Sequence, residues 1–365
     1  MFILSVLLQA VIVDSYSFMS LGDWGGANIS PQVKDNVYAV AKAMEDKANG
    51  EKNYPSFLVN TGDNFYWCGI TDTEDSQINT DFVEPYAGLN LDFYGVLGNH
   101  EYGYNVSAQL EYATMNSKWI MDDRYYSRRI LLDEALEVYA SMIFLDTSPC
   151  VAGYRESNPE NWDPCSNQYP TCSPGATDDD FEGPCMFHEN ILTQNCTAQH
   201  EWFRNTINAV PENDWLIVVG HHPIDEVNMF DYTDTLQKHG FSIYLNGHAH
   251  TLSQYKIDDK GLYFTSGAGS LVNTNDQEHD MVKAKLQGEK YVSVDGTLLS
   301  GDTEADSGLS NHKFNHTYTT VFNQKVAGFT YHYFDSAFTT LTSEIVSYTG
   351  EIIHSVTTKK DGTYV

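Results

Sequence analysis

The stretch 244–255, YLNGHAHTLSQY, sets His248 and His250 two residues apart, directly after the apolar run FSIYLN of residues 241–246. The run reads as a short β-strand and Gly247 as the start of the loop at its end. In a near-extended backbone, side chains two residues apart point to the same side, so both imidazoles can face one pocket. An isolated H-x-H is equally a pair of polar residues at a strand end. What distinguishes the two readings is whether metal-ligand residue types recur at other strand ends, and they do.

Four more clusters of this kind follow β-type runs. They are GDWGG with Asp23, GDNFY with Asp63 and Tyr66, GNHEY with Asn99 and His100, and VVGHHP with His221 and His222. Most contain glycine, which permits tight turns that aim a side chain into a shared cleft. Together with NGHAH they offer carboxylate, phenolate, amide oxygen and imidazole. A mixed oxygen and nitrogen set suits iron, zinc or manganese, and the lack of cysteine in it argues against a thiolate site.

Around these clusters the chain alternates strand-like and helix-like pieces. Residues 18–23, 56–63 and 91–100 read as strands, and residues 31–49 as a helix with Pro31 in its first turn. A strand over 137–147 is followed by a Cys/Pro/Asn-rich insert at about 151–195, then a helix over 197–210 and strands over 214–222 and 241–250. Past Thr251 the pattern turns β-rich, with strands over 261–270, 326–334, 337–346 and 350–358. Residues 273–325 read as a long polar loop or lid. No repeat is visible. The layout is that of one α/β domain with βαβ-type halves around a mixed sandwich, its functional groups gathered at the C-terminal ends of strands.

The chain has 365 residues with 50 acidic and 20 basic side chains, a formal net charge of −30. Such a field repels nucleic acid and anionic membrane surfaces, so neither is expected as a partner. An apolar run from Phe2 to Val13 is too short to span a bilayer, and no second stretch is long enough. With Ser15 and Ser17 placed for cleavage before Phe18, residues 1–17 read as a signal peptide, the alternative being a buried first strand. Sequons at Asn28, Asn105, Asn195 and Asn315 are candidate glycosylation sites. Five of the six cysteines crowd between Cys150 and Cys196, as in a disulfide-stapled loop from an oxidising compartment. Secreted/extracellular, vacuolar or lysosomal localisation is therefore expected.

The order D, GDxxY, GNH, VxxH, GHxH resembles that of the purple acid phosphatases, within the calcineurin-like metallophosphoesterases. GDWGG near the start and SGAGS (266–270) after the last motif look most like the small tartrate-resistant acid phosphatase type. The resemblance covers roughly Phe18 to Ser270, with no counterpart for 151–195 or 273–325. It implies a four-layer α/β/β/α sandwich of two mixed β-sheets over residues 18–365. It also implies hydrolysis of small phosphate monoesters at a binuclear Fe(III)–M(II) centre by metal-activated hydroxide attack.

Most of the superfamily begins with D-x-H, whereas here Trp24 and Gly25 follow Asp23. The purple branch uses the tyrosine of GDxxY instead, and Tyr66 stands there. Carried over by position, Asp23, Tyr66 and His250 would hold Fe(III). Asn99, His221 and His248 would hold a divalent ion (Fe, Zn or Mn), with Asp63 bridging. In VVGHHP the match from Val218 selects His221 and the match from Val219 selects His222. The family's GH-x-P favours His221 and leaves His222 beside the substrate. His100 is the candidate proton donor, with Glu101 either orienting it or lying exposed in the loop.

Small family members carry a further histidine soon after VxxH; here Asp225 and Glu226 occupy that stretch, and a carboxylate there repels phosphate unless protonated. The family's disulfide lacks its second partner. Cys150 is expected to pair within the insert and Cys68 to pin the insert near the rim of the site, making the insert either a lid or a passive excursion. Two other functions share these motifs: a phosphodiesterase or nucleotide phosphohydrolase, and an extracellular iron-binding redox protein. Oligomeric state is not legible.

Overall fold

The computed structural model describes residues 16–157, 161–165, 172, 185–272 and 314–365. Among the described residues, fourteen strands form two seven-stranded sheets. The first holds β1 (Ser17–Leu21), β2 (Phe57–Asn60), β3 (Asp92–Gly95) and β4 (Trp119–Ile120) in parallel. The second holds β5 (Tyr126–Asp133), β6 (Val138–Phe144), β7 (Trp215–Val219), β8 (Ile243–Asn246), β9 (Leu252–Ile257), β10 (Leu262–Ser266) and β11 (Tyr318–Gln324). Its centre, β6–β7–β8–β10, is parallel. The last strands, β12 (Gly328–Phe334), β13 (Thr340–Ser347) and β14 (Ile352–Lys359), return to the first sheet, β12 antiparallel to β1 and each later strand antiparallel to the one before it.

Side-chain alternation explains the layering. Ile217, Val219, Ile243, Leu245, Leu262 and Phe264 point into the core between the sheets. Their neighbours Leu216, Val218, Tyr244 and Tyr263 pack instead with Phe203, Ile207, Tyr232 and Leu236. Those four belong to helices Cys196–Asn208 and Tyr232–His239, which cover the second sheet. Helix Pro31–Gly50 packs on β12 of the first sheet, burying Val33, Val37, Val40, Ala41, Met44 and Ala48 at helical spacing. Ser30 caps it, its Oγ accepting from Val33 N at 3.2 Å, and Pro31 tolerates the first turn because no N–H is needed there. The expected four-layer α/β/β/α sandwich with two mixed sheets is what forms.

Three local readings change. The polar stretch expected over 273–325 ends in a strand: β11 pairs antiparallel with β9 at the edge of the second sheet. Residues 273–313 lie outside the described residues. Strand β5, unread in the sequence, carries Arg128 and Arg129 in its middle; as an edge strand it needs only one apolar face, and the arginines bond Asp122 and Asp214. Finally, Ser17, placed in the expected leader, opens β1, with its carbonyl accepting from Ser56 N at 2.8 Å. Residues 1–15 of the leader expected over 1–17 lie outside the described residues.

Three disulfides tie the insert down. Cys150–Cys196 closes its base, Cys165–Cys185 crosses it, and Cys68–Cys172 fastens it to the loop after β2. Cys150 therefore pairs with the residue just past the insert rather than inside it, while Cys68 pins the insert as expected.

On the first sheet a buried polar link joins three neighbouring strands. His332 on β12 meets Ser20 Oγ through Nε2 at 3.0 Å and Ser343 Oγ through Nδ1 at 2.8 Å. Burial pushes its pKa down from 6.5 to about 3. In the window between, the unfolded chain binds a proton that the folded one refuses, so stability present above pH 6.5 is lost as pH falls toward 3. We expect His332→Gln, which keeps polar partners but does not titrate, to reduce that acid loss by roughly 3 kcal/mol at about pH 4. Urea midpoints at about pH 7 and pH 4 check this; equal acid losses in both proteins would refute it.

Candidate metal centre

Strands β1, β2 and β3 run parallel, as do β7 and β8, so their C-terminal ends collect at common edges. All five motif loops leave from those ends. Gly22 N donates to Ser266 O at 2.8 Å, joining the two sheets across the site, and Gly247 N donates to His221 O at 2.9 Å, joining two loops of the second sheet.

The seven residues read as ligands meet there. Tyr66 Oη lies 3.1 Å from Asp23 Oδ1, 3.1 Å from Asp63 Oδ2 and 2.8 Å from His250 Nε2. On the other side His221 Nε2 lies 3.3 Å from the same Asp63 Oδ2 and 2.9 Å from Asn99 Oδ1, with His248 Nδ1 3.0 Å from that amide oxygen. Two groups of donor atoms thus share one carboxylate oxygen.

Backbone strain marks the same residues. Asp23, Asp63, His248 and His250 have φ of 55°, 52°, 72° and 49°. Each non-glycine residue in this left-handed region costs about 1–2 kcal/mol, and such outliers persist where the surroundings over-determine them. A methyl group at Gly98 would land on Asp63 Oδ1, and one at Gly247 on Asp23 Oδ2. Only glycine lets the backbone approach these carboxylates so closely.

The donor chemistry fits cations. One phenolic hydrogen faces two carboxylate oxygens and an imidazole nitrogen, and Asn99 turns Oδ1 to the nitrogens of both His221 and His248. Burial pushes His221 down, but Asp63 outweighs it and raises the imidazole to about 10. Burial likewise pushes Asp63 up, yet His221, His100 and His248 hold it well below the usual carboxylate range. A proton between buried acceptors stands where a metal ion would carry the charge. His221, His222 and His248, and separately Asp23, Asp63 and His221, present nitrogen and oxygen atoms close enough to hold an ion.

Hydrogen bonds separate His221 from His222. Thr61 O accepts from His221 Nδ1 at 2.8 Å, which turns the Nε2 lone pair toward Asp63 and Asn99. Thr147 Oγ1 accepts from the backbone N–H groups of both His221 and His222, at 3.2 and 3.1 Å. Its lone pairs are then used, so its hydroxyl hydrogen goes to His222 Nδ1 at 2.8 Å. His222 Nε2 therefore carries the ring hydrogen and donates to Tyr154 Oη at 3.1 Å. No lone pair of His222 is left for a metal.

Glu101 neither orients His100 nor lies exposed. It is 1% exposed, and its oxygens accept from Gly98 N, Asp63 N, Asn64 N and Phe65 N at 2.6, 3.1, 2.8 and 3.1 Å. Burial and Asp63 push it up to about 7 while the amides oppose that shift. His100 is oriented by Trp67 O, 2.6 Å from Nδ1, leaving Nε2 3.9 Å from Asp63 Oδ2. Glu226, the carboxylate expected to repel phosphate, has Oε2 3.4 Å from His248 Nε2, where it orients that ring.

Four further contributors went unread. Thr147 follows β6 in LDT, a strand-end signal like the other five. Asp146, beside it, is hydrogen-bonded to Tyr102, which also accepts from Arg124. Tyr154 and Trp162 from the insert have no local signal at all, yet the Trp162 ring lies 5.0 Å from His100. All four sequon asparagines, Asn28, Asn105, Asn195 and Asn315, are exposed.

The chain belongs to the calcineurin-like phosphoesterase family, whose model matches residues 16–252. Mouse tartrate-resistant acid phosphatase type 5 is 27% identical over 270 residues, 70% of this chain and 73% of that protein. Arabidopsis purple acid phosphatase 3 is 28% identical over 309 residues, 79% of this chain and 74% of that one. The solved structure of GAP50, the anchor in the inner membrane complex of Plasmodium, shares the fold at a TM-score of 0.61 and 18% identity, covering 96% of this chain and 89% of that. Family and site together define a metal-dependent phosphoesterase.

Replacing Glu101 by Gln puts an NH2 group against two of the four backbone donors. We expect a stability loss of about 2–4 kcal/mol, two buried amides being left unpaired. A urea midpoint within about 0.5 kcal/mol of the wild type would show that Glu101 is not the anchor of this loop.

Proposed function

We propose that the protein is a secreted acid phosphatase that hydrolyses phosphate monoesters at an Fe(III)–M(II) pair, M being Fe, Zn or Mn. The observation that carries this reading is the shared Asp63 Oδ2, with Tyr66 Oη at 3.1 Å on one side and His221 Nε2 at 3.3 Å on the other. Asp23, Tyr66 and His250 would hold the ferric ion and Asn99, His221 and His248 the divalent one. A phenolate is a hard, strongly donating oxygen that suits Fe(III). Two such ions neutralise phosphate charge and acidify a bound water.

The chain's own groups do the rest. Asp63 spans both donor groups and is held ionised. His100, its Nδ1–H given to Trp67 O, keeps Nε2 beside the donor cluster, where it can pass a proton to the leaving alkoxide. Thr61 and Glu226 fix the ring orientations of His221 and His248. For secretion the supports are the leader-like N-terminus, three disulfides and four exposed sequons.

The test is the visible spectrum and turnover of the metal-replete protein. A broad band that vanishes in Tyr66→Phe is expected, together with monoester turnover exceeding that of diesters and falling about a thousandfold in Asp63→Asn. A colourless protein with two ions per chain would overturn the ferric-tyrosinate assignment. Faster diester turnover would replace the substrate class.

A further inference from the structure

We infer that Tyr154, supplied by the Cys-rich insert, is a substrate-contacting residue whose hydroxyl donates a hydrogen bond to the bound phosphoryl group, with His222 holding it in place. The inference rests on the phosphoesterase reading above.

The relay Thr147–His222–Tyr154 runs in one direction. Thr147 gives its hydroxyl hydrogen to His222 Nδ1 at 2.8 Å, and His222 gives its Nε2–H to Tyr154 Oη at 3.1 Å. A phenol oxygen that accepts from an imidazole N–H keeps its own hydrogen to donate onward. His222 is fully buried, whereas Tyr154 is half-buried. Of the two, Tyr154 is the group a ligand arriving from solvent meets.

Its location suits that role. The His222 ring stands 4.3 Å from the His248 ring and 4.9 Å from His221, and the Tyr154 ring 5.5 Å from His222. Tyr154 therefore flanks the donor group formed by Asn99, His221 and His248. The short helix Ala152–Arg155 that carries it is braced. Arg155 donates to the carbonyls of Pro149, Ile191 and Gln194, Ala152 N donates to Asn228 Oδ1, and Cys150–Cys196 closes the base. A hydroxyl fixed this way contributes to binding without first being ordered. The stretch after His222 offers Asp225 and Glu226, carboxylates that cannot donate to phosphate when ionised. The insert brings a neutral hydroxyl donor to this side of the site.

Tyr154→Phe deletes only the hydroxyl. In the metal-replete full chain, kcat/KM on a phosphomonoester and the affinity for inorganic phosphate are both expected to fall about tenfold to a hundredfold. Metal content and thermal midpoint should stay those of the wild type, which a loosened insert would not give. Because His222 acts through Tyr154, adding Tyr154→Phe to His222→Gln should cost little more. Phosphate affinity and kcat/KM both within about twofold of the wild type would overturn the assignment. A wild-type protein that binds phosphate but cleaves no ester would sink the hydrolase reading alone, and the phosphate affinity of Tyr154→Phe would still decide the role of Tyr154. A wild-type protein that binds no phosphate would overturn both.

Discussion

One carboxylate oxygen organises this molecule. Asp63 Oδ2 must reach Tyr66 from its own loop and His221 from the other sheet. Meeting both demands a backbone bent into the left-handed region at Asp63, with Gly62 beside it at φ 93° and Gly98 stripped of any side chain. Glu101 holds this bend by gathering four amides from both loops. Strain of this kind survives only where packing is strong elsewhere. The layered core between the sheets and the aromatic cluster around Trp24 supply that packing.

The same constraint explains why the ends of the two sheets are stitched together. Parallel strands β1–β3 and β7–β8 deliver their C-terminal loops to a common edge. The contacts of Gly22 N with Ser266 O and of His248 N with Asp23 Oδ2 then fix the distance between the halves. Seven donor residues spread over more than two hundred positions become one cluster because strand direction is shared, a property of topology rather than of any single motif.

The insert completes the picture from outside. Its disulfide to Cys68 ends two residues beyond Tyr66, so the covering segment and a donor-bearing loop are parts of one covalent unit. Trp162 lies against His100 and Tyr154 against His222, which gives each of the two buried histidines an aromatic neighbour from the same excursion. The insert thus forms a wall beside the site, and the likeness to GAP50 at 18% identity concerns the fold alone.

Strand periodicity was enough to read one α/β domain around a mixed sandwich with functional groups at strand ends, because alternation along a strand and glycine at a turn are short-range patterns. The four layers and the set of residues that gather came from the order of the motifs, through the resemblance to the family. Edge strands β5 and β11 escaped, since a strand with one wet face need not look apolar. Side-chain direction was illegible for a different reason. Nothing local distinguishes His221 from His222, or shows that Glu101 turns inward to four amides; the partners are Thr61, Thr147 and backbone from distant loops. The sequence by itself determined the fold and the roster of donors. Only the tertiary structure decided which nitrogen faces the cluster and that Tyr154 stands over it, because hydrogen-bond partners far apart in the chain set those orientations.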